Sequence, residues 1–382
     1  MLTARELTSK THRGLCHSNH PSAGVMLYIP SQTPPINHTC SMLHATEVSG
    51  NKAGISACAS IAYTSLAPGK TQAGIVLGTG AFPLTPGTFQ AQHGQVPRDT
   101  VAVESYGVEL VPQTVNILDA RALSTPPTLD SLGMELVFSP LPNDCPPACL
   151  HTSAVNSPEI SAYYACIEEA VKKATGANSA VAFCHAVRSP KPAANCQGAE
   201  AGYASYAHTD QSESSWSSRA HELVAAGDFC SFPPGISEQT ARRMTGARRY
   251  AVVSAWRKLN DSPTTSHLAV LDHTTLKPND VMPFSIIEHG CAGGNYRLRH
   301  SPEAAARHKW LYYSGMTTSE VLLFSAFDSL HPANASLFAS NKMSASCFHS
   351  AFVDTRRALP NDPARISIDV RCLVIWDDVD TN

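Results

Sequence analysis

The spacing of apolar side chains predicts one amphipathic helix among many short strands. The helix is expected to begin at Ser157-Pro158, because serine is a good N-cap and proline suits the first helical turn. Apolar residues then recur at helical spacing until Gly176, which can close the C-terminus. These residues are Ile160, Tyr163, Tyr164, Ile167 and Val171. We therefore predict a helix over 157–175.

Short apolar runs separated by turn residues fill much of the remaining chain. They lie at 74–78, 108–111, 180–183, 250–253, 321–324 and 365–376. Such runs, linked by loops, are typical of a β-sandwich or barrel. By composition alone, the run at 321 is equally compatible with a buried helix. Gly78-Thr79-Gly80 follows a strand-like run, but position 83 is proline, so a plain turn is favoured over a dinucleotide-binding loop.

Composition excludes several classes of protein. Among 382 residues only 15% are charged, and 28 Lys and Arg face 31 Asp and Glu, a net charge of -3. A nucleic-acid binder would show a basic excess, and a disordered chain would carry more charge. No apolar stretch reaches the roughly 18 residues of a membrane span, and residues 1–20 lack the apolar region of a secretory signal. We therefore expect a cytoplasmic protein with a small-molecule substrate, without a nucleic-acid or membrane partner. The oligomeric state stays open, a homodimer included.

The 12 cysteines are too few for a disulfide scaffold of this length. Cys145 and Cys149 form a close pair, but a zinc site would need a second pair beside them. Buried, reduced thiols are the favoured interpretation, with zinc as the alternative.

Two short patterns could carry chemistry, and the first is His208-Thr209-Asp210. On a strand, residues i and i+2 share a face, so this imidazole and carboxylate could bind one metal ion. A two-histidine, one-carboxylate site for Fe(II) needs such a pair together with a distant histidine. The alternative is a surface histidine beside a solvated aspartate.

The second pattern is the alternation of polar and apolar residues over 365–371. The outward face of a half-buried strand would explain it without any function. A guanidinium at Arg365 with a hydroxyl two residues later, at Ser367, would equally suit a clamp for a carboxylate. Upstream, His349 lies among apolar residues and is either a core histidine or a third metal ligand.

Taken together and in order, several stretches resemble the non-haem Fe(II)/2-oxoglutarate-dependent oxygenases. The resemblance is stronger to the AsaB-like hydroxylase/desaturase family, which includes fungal gibberellin desaturases and cephem-methoxylase-related proteins. The matching stretches are 133–137, 175–177, 208–210, 255–257, 308–313, 316–328, 349–352 and 365–371. The resemblance implies an α+β fold with a mainly β core, a double-stranded β-helix (jelly roll, cupin-like) with flanking helices. It also implies that 321–327 is a strand.

The same resemblance implies the roles of individual residues. His208, Asp210 and His349 would be the ligands of Fe(II). Arg365, assisted by Ser367, would bind the distal carboxylate of 2-oxoglutarate, the co-substrate used together with O2.

The chain departs from the family at residues 254–258, where the family usually has Asn-Val-Trp-Arg-Pro and this chain has Ser-Ala-Trp-Arg-Lys. A polar role for that asparagine therefore cannot be carried over. Arg257 is the candidate for a second carboxylate, on co-substrate or substrate, and its alternative is a surface salt bridge. Arg188 and Arg371 are weaker candidates of the same kind. A structural role is expected for the neighbouring residues His267, Asp272 and His273.

The resemblance thus implies an oxygenase of secondary metabolite biosynthesis that removes hydrogen from a small molecule, leading to hydroxylation, desaturation or oxidative cyclisation. The alternatives are a non-catalytic small-molecule-binding β-helix protein and a transferase, although the chain has no evident glycine-rich loop for S-adenosylmethionine. Residues 1–110 are expected to form an N-terminal extension with short strands. Residues 111–382, including the 157–175 helix, are expected to form the oxygenase domain, because Asp210 and His349 must meet at one metal ion.

Overall fold

The computed structural model describes residues 56–69, 74–77, 104–106, 108–143, 145–151, 157–189, 200–201, 203–210, 236–261, 263–288, 291–330, 346–354 and 362–377. The predicted turn at Gly78-Thr79-Gly80 lies outside them. The described strands are β1 (Ser56–Leu66), β2 (Gly74–Leu77), β3 (Glu104–Tyr106), β4 (Val108–Asp119), β5 (Met134–Phe138), β6 (Ser179–Arg188), β7 (Glu200–Ala201), β8 (Arg249–Lys258), β9 (His267–Leu271), β10 (Val281–Glu288), β11 (Cys291–Leu298), β12 (Trp310–Tyr312), β13 (Glu320–Asp328), β14 (His349–Phe352) and β15 (Ser367–Trp376). The described α-helices are α1 (Leu129–Leu132), α2 (Pro158–Thr175), α3 (Glu238–Gly246) and α4 (Pro302–Arg307).

The strands form two layers that enclose a core. One layer is a six-stranded sheet in the order β5-β13-β8-β15-β6-β7. The other contains a five-stranded sheet, β1-β4-β12-β9-β14, and a four-stranded sheet, β11-β10-β2-β3. His208 joins these two sheets, because its backbone bridges Arg297 of β11 on one side and His349 of β14 on the other. The arrangement is the double-stranded β-helix that the family resemblance implies.

Helix α2 forms where the apolar spacing places it. The Ser157 side chain accepts a hydrogen bond from the Ile160 N–H, and Gly176 ends the helix with φ 63°. The helix buries its apolar stripe against one face of the six-stranded sheet. That sheet is therefore covered on this face by α2 and faces the barrel interior on the other.

The run at 321–324, for which composition alone allowed either a helix or a strand, is a strand. β13 pairs antiparallel with β5 on one side and with β8 on the other. It is an inner strand of the sheet, and its run of apolar residues is buried on both faces. The strand implied by the family resemblance is confirmed.

The predicted N-terminal extension contributes directly to the sheets. β1 pairs antiparallel with β4 along its whole length, from Ser56 opposite Leu118 to Leu66 opposite Val108. The division of the chain at residue 110 stays a prediction. In the described part of the chain no helix is long and apolar enough to cross a membrane. The six cysteines whose side chains the structure describes form no disulfide with one another, and Cys145 is buried in the core beneath α2.

Candidate metal centre

The backbone brings His208 and His349 face to face. The His208 N–H donates to the His349 carbonyl at 3.1 Å, and the His349 N–H donates to the His208 carbonyl at 2.9 Å. In such an antiparallel pair both side chains lie on the same face, and the two ring centroids are 4.4 Å apart. Two imidazoles from distant parts of the chain therefore converge.

Asp210 joins the two histidines through the spacing that the sequence indicated. One possible ligand atom from each of the three residues lies within 4.8 Å of the others. Thr209, between His208 and Asp210, is fully buried and makes backbone and side-chain hydrogen bonds to Tyr296. Thr209 is thus held against β11, while the side chains of His208 and Asp210 both lie close to His349.

Hydrogen bonds to backbone carbonyls orient both imidazoles. Nδ1 of His208 lies 2.9 Å from the Tyr206 carbonyl, and Nδ1 of His349 lies 3.0 Å from the Cys347 carbonyl. A carbonyl only accepts, so Nδ1 carries a proton in each ring, and Nε2 is the atom left for a metal ion. Burial, followed by the nearby His349 and Arg297, lowers the pKa of His208 well below its ordinary value. The His208 imidazole is therefore uncharged at neutral pH and able to bind a metal ion.

Two donors hold the Asp210 carboxylate. Arg371 Nη2 donates to Oδ1 at 3.0 Å, and the Ser254 hydroxyl donates to Oδ2 at 3.0 Å. Burial alone would raise the pKa of Asp210, but Arg371 and then His349 and His208 hold it below its ordinary range. The group stays ionised, which a metal ligand requires.

The polar face of the C-terminal strand points inward, not toward solvent. Arg365 is 1% exposed, Ser367 0% and Asp369 4%. The apolar partners on the opposite face, which include Ile368 and Val370, pack against α2. The surface-strand explanation of the 365–371 alternation is therefore wrong, because both faces of this central strand are covered.

Arg365 enters the same cavity as the two histidines. The cavity is lined by Arg188, Ala204, His208, Trp256, Leu268, Phe324, His349, Ala351, Arg365 and Asp369. The guanidinium carbon of Arg365 lies 4.4 Å from the Tyr203 ring centroid and 5.2 Å from that of Trp256. Its Nε and Nη1, and the hydroxyl of Ser367, are buried without a hydrogen-bond partner. Burial lowers the pKa of Arg365 to about 10, so the group remains a cation at neutral pH.

These unpaired donors fit an anionic ligand. Unsatisfied buried donors are rare in proteins and costly, so this guanidinium and this hydroxyl could both donate to an anionic group such as a carboxylate. Asp369 lines the same cavity, and its pKa shifts in the opposite direction to that of Asp210. Burial, followed by the charge of Asp210, raises the pKa of Asp369.

Arg257 does not lie with the other candidates. It is fully buried and donates to the Thr318 carbonyl at 2.6 Å and to the Tyr163 hydroxyl at 3.1 Å. Tyr163 belongs to α2, on the outer face of the sheet. Neither the predicted carboxylate contact nor the alternative surface salt bridge describes this geometry, because the side chain ties β8 to the helix.

The remaining candidates separate into cavity and structural positions. Arg188 lines the cavity, whereas Arg371 reaches the site through Asp210. The Asp272 carboxylate accepts from the Thr274 N–H, and the His267 ring packs against neighbouring aromatic rings.

Sequence reasoning did not predict that Ser254 donates a hydrogen bond to Asp210. Ser254 stands where the family usually has asparagine, and its hydroxyl supplies a polar contact to Asp210 that the substitution had put in doubt. Alternation along β8 carries the signal, because Ser254 and Trp256 share the inner face and Arg257 must then face outward.

The chain is similar to several known proteins. A family model described as an oxidoreductase/YMDC permease-like domain matches residues 86–375. The hydroxylase/desaturase efuI of Hormonema carpetanum is 31% identical over 144 residues, which cover 35% of this chain and 43% of that protein. The hydroxylase/desaturase poxK of Penicillium oxalicum is 33% identical over 146 residues, 34% of this chain and 43% of that protein. The chain thus spans less than half the length of these curated relatives.

Solved structures show the same fold. A structure of the iron and alpha-ketoglutarate-dependent endoperoxidase NvfI superposes with a TM-score of 0.58 and 21% identity, covering 84% of this chain and 99% of that one. A second structure of NvfI, in a different conformation, gives a TM-score of 0.62 and 20% identity over 86% of this chain and 99% of that one. The hydroxylase/desaturase resemblance found in the sequence is confirmed. Because the family model covers most of its length, the chain belongs to the oxidoreductase/YMDC permease-like family.

Proposed function

We propose that this chain is an Fe(II)/2-oxoglutarate-dependent oxygenase of secondary metabolite biosynthesis that acts on a small molecule. One observation carries the proposal: the two histidines of a His-His-Asp group line the same cavity as Arg365, whose Nε and Nη1 have no hydrogen-bond partner. Relatives named hydroxylase/desaturase and a relative named aspirochlorine biosynthesis protein N, from Aspergillus oryzae, support it. A non-catalytic carrier would have no evident use for such a ligand set.

Each residue has a defined task in this proposal. His208, Asp210 and His349 hold Fe(II) through two neutral imidazoles and one ionised carboxylate. Arg365 and Ser367 bind the distal carboxylate of 2-oxoglutarate. When bound, iron and 2-oxoglutarate together with O2 would supply the oxidising chemistry that removes hydrogen from a substrate carbon. The outcome is hydroxylation, desaturation or cyclisation.

The surrounding residues orient the ligands and limit water. The carbonyls of Tyr206 and Cys347 fix the ring planes, while Arg371 and Ser254 fix the carboxylate. Leu268, Phe324 and Trp256 give the cavity apolar walls. A rigid ligand set in an apolar surround favours controlled chemistry on one bound substrate.

The first test is the formation of the loaded site. Anaerobic addition of Fe(II) and 2-oxoglutarate to the full chain should produce a visible charge-transfer band. We expect the band to be lost in His208→Ala and His349→Ala and kept in His300→Ala, a half-exposed histidine outside the ligand group. A wild-type protein that shows no band and makes no succinate would contradict the oxygenase proposal and favour a non-catalytic binding protein.

The second test concerns the co-substrate clamp. Charge-assisted hydrogen bonds contribute about 1.5–3 kcal/mol, so Arg365→Met should weaken 2-oxoglutarate binding by about 10- to 100-fold. Iron affinity should stay close to that of the wild type. Calorimetric titration of 2-oxoglutarate measures this, and unchanged binding would move the clamp to Arg188, the other guanidinium in the cavity.

We also propose a cytoplasmic location, which rests on the composition alone.

A further inference from the structure

A second buried guanidinium, that of Arg297 on β11, has no carboxylate partner among the residues that the structure describes. The side chain is 5% exposed, and its Nε makes no hydrogen bond. Its guanidinium carbon lies 3.8 Å from the Tyr206 ring centroid and 4.1 Å from that of Phe284. The Tyr206 side chain also hydrogen-bonds this guanidinium, which leaves Nε as its unpaired atom. Aromatic faces and a neutral hydroxyl attract a cation, but they do not neutralise its charge.

Other buried arginines of the described chain are accounted for. Arg371 pairs with Asp210. Arg257 also lacks a carboxylate partner, but it donates to Thr318 and Tyr163, and none of its nitrogens is buried without a hydrogen bond. Arg365 is unpaired but has 2-oxoglutarate as its proposed ligand. A buried charge without a counter-charge is costly, so Arg297 favours binding of an anion from outside the described chain.

The position of Arg297 relates this anion to the metal centre. Arg297 lies directly opposite His208 in an antiparallel bridge, so the two side chains lie on one face of the sheet. Tyr206, two residues before His208, contacts the His208 ring at a centroid distance of 4.9 Å and also stacks on Arg297. Only one aromatic ring therefore separates the guanidinium from a candidate metal ligand.

A further polar atom lies on the same face. Asn295 is two residues from Arg297 on β11, directly opposite Phe284 on β10, and is 4% exposed. Its Oδ1 is buried without a hydrogen bond. The pair thus offers one cationic donor and one acceptor, separated by one strand repeat and flanked by aromatic rings.

We propose that Arg297 binds a carboxylate of the substrate, which makes the substrate an organic acid. Tyr206 and Phe284 flank the carboxylate-binding guanidinium, and Asn295 accepts from a hydroxyl or N–H of the same molecule. The inference rests on the proposed function and gives Arg365 and Arg297 different ligands. Arg365 takes the co-substrate, and Arg297 takes the molecule to be oxidised.

The test uses a matched pair of small probes. The full chain is loaded with Zn(II), a redox-inert ion, and saturating 2-oxoglutarate, and fluorine NMR follows the binding of 4-fluorophenylacetate and 4-fluorophenylacetamide. We expect the wild type to prefer the carboxylate, with about tenfold or greater loss of affinity in Arg297→Met and partial recovery in Arg297→Lys. Arg243→Gln, which removes an exposed ion pair with Asp377, is the control and should bind as the wild type does.

A second measurement separates ligand binding from a structural role. Without probe, Arg297→Met should unfold at a denaturant concentration equal to or above that of the wild type, because an uncompensated buried charge has been removed. A marked loss of stability together with unchanged probe binding would overturn the proposal. So would equal wild-type affinity for the carboxylate and the amide. Loss of 2-oxoglutarate binding in Arg297→Met would likewise overturn it, since Arg297 would then hold the co-substrate.

The charge-transfer band of the wild type is recorded in parallel. Its absence would refute the oxygenase function alone, because carboxylate selectivity at Arg297 is measured without iron or turnover. A normal band with no carboxylate preference would refute the Arg297 proposal alone.

Discussion

Arg371→Met tests how far the candidate metal centre depends on a residue that does not bind the metal. The Arg371–Asp210 pair is 3.0 Å long, and the two side chains are 14% and 4% exposed. Breaking a buried pair by removing one partner typically costs about 3–5 kcal/mol, because the other charge is left uncompensated. The Ser254 hydroxyl still donates to the other carboxylate oxygen, so we expect the lower part of that range.

The assay is equilibrium denaturation of the metal-free chain, and a double-mutant cycle isolates the pair. If Arg371 acts through Asp210, the cost of Arg371→Met should fall sharply in an Asp210→Asn background. Addition of Zn(II) should restore part of the lost stability to the single variant, because a bound dication replaces the missing positive charge. An equal cost in both backgrounds would refute this reasoning and leave the neighbouring Cys184 or Asp369 as the relevant partner.

Three further predictions concern residues away from the metal ligands. Arg257→Met should cost about 1–3 kcal/mol, because the half-buried Thr318 carbonyl loses a donor, and calorimetry should show unchanged 2-oxoglutarate affinity. Burial lowers the pKa of His185 from 6.5 to about 4, so its unfolded form binds more protons between those values and stability falls on acidification through that range. His185→Gln should remove up to about 3 kcal/mol of this acid sensitivity in denaturation curves recorded at pH 4 and pH 7. Gly176→Ala should lower stability by about 1 kcal/mol, because φ is 63° at this helix end, and an unchanged unfolding midpoint would contradict that assignment.

Local patterns were enough to predict the elements that carry their own signals. Helix α2 follows from its serine cap, its apolar spacing and its terminal glycine, all of which lie within one segment. His208 and Asp210 follow from an i, i+2 spacing, which any extended backbone converts into a shared face. His349 required the family resemblance, because no local rule states which distant histidine a strand will meet.

The orientation of a polar face could not be read from alternation. The pattern at Arg365 and Ser367 separates two faces of a strand but does not say which face meets solvent. That depends on the second layer, which is assembled from strands far away in the chain. The error at Arg257 has the opposite character, because its neighbour Trp256 faces the cavity and alternation already placed Arg257 on the other side.

The reciprocal backbone hydrogen bonds between His208 and His349 have a consequence for folding. They close a loop of well over 100 residues, and ordering so long a loop is entropically expensive until the enclosed strands have formed. Folding dominated by such distant pairings is slow. The histidine pair should accordingly form late in folding, as the last backbone contact that closes the barrel. A chain shortened before residue 349 would lack the site altogether.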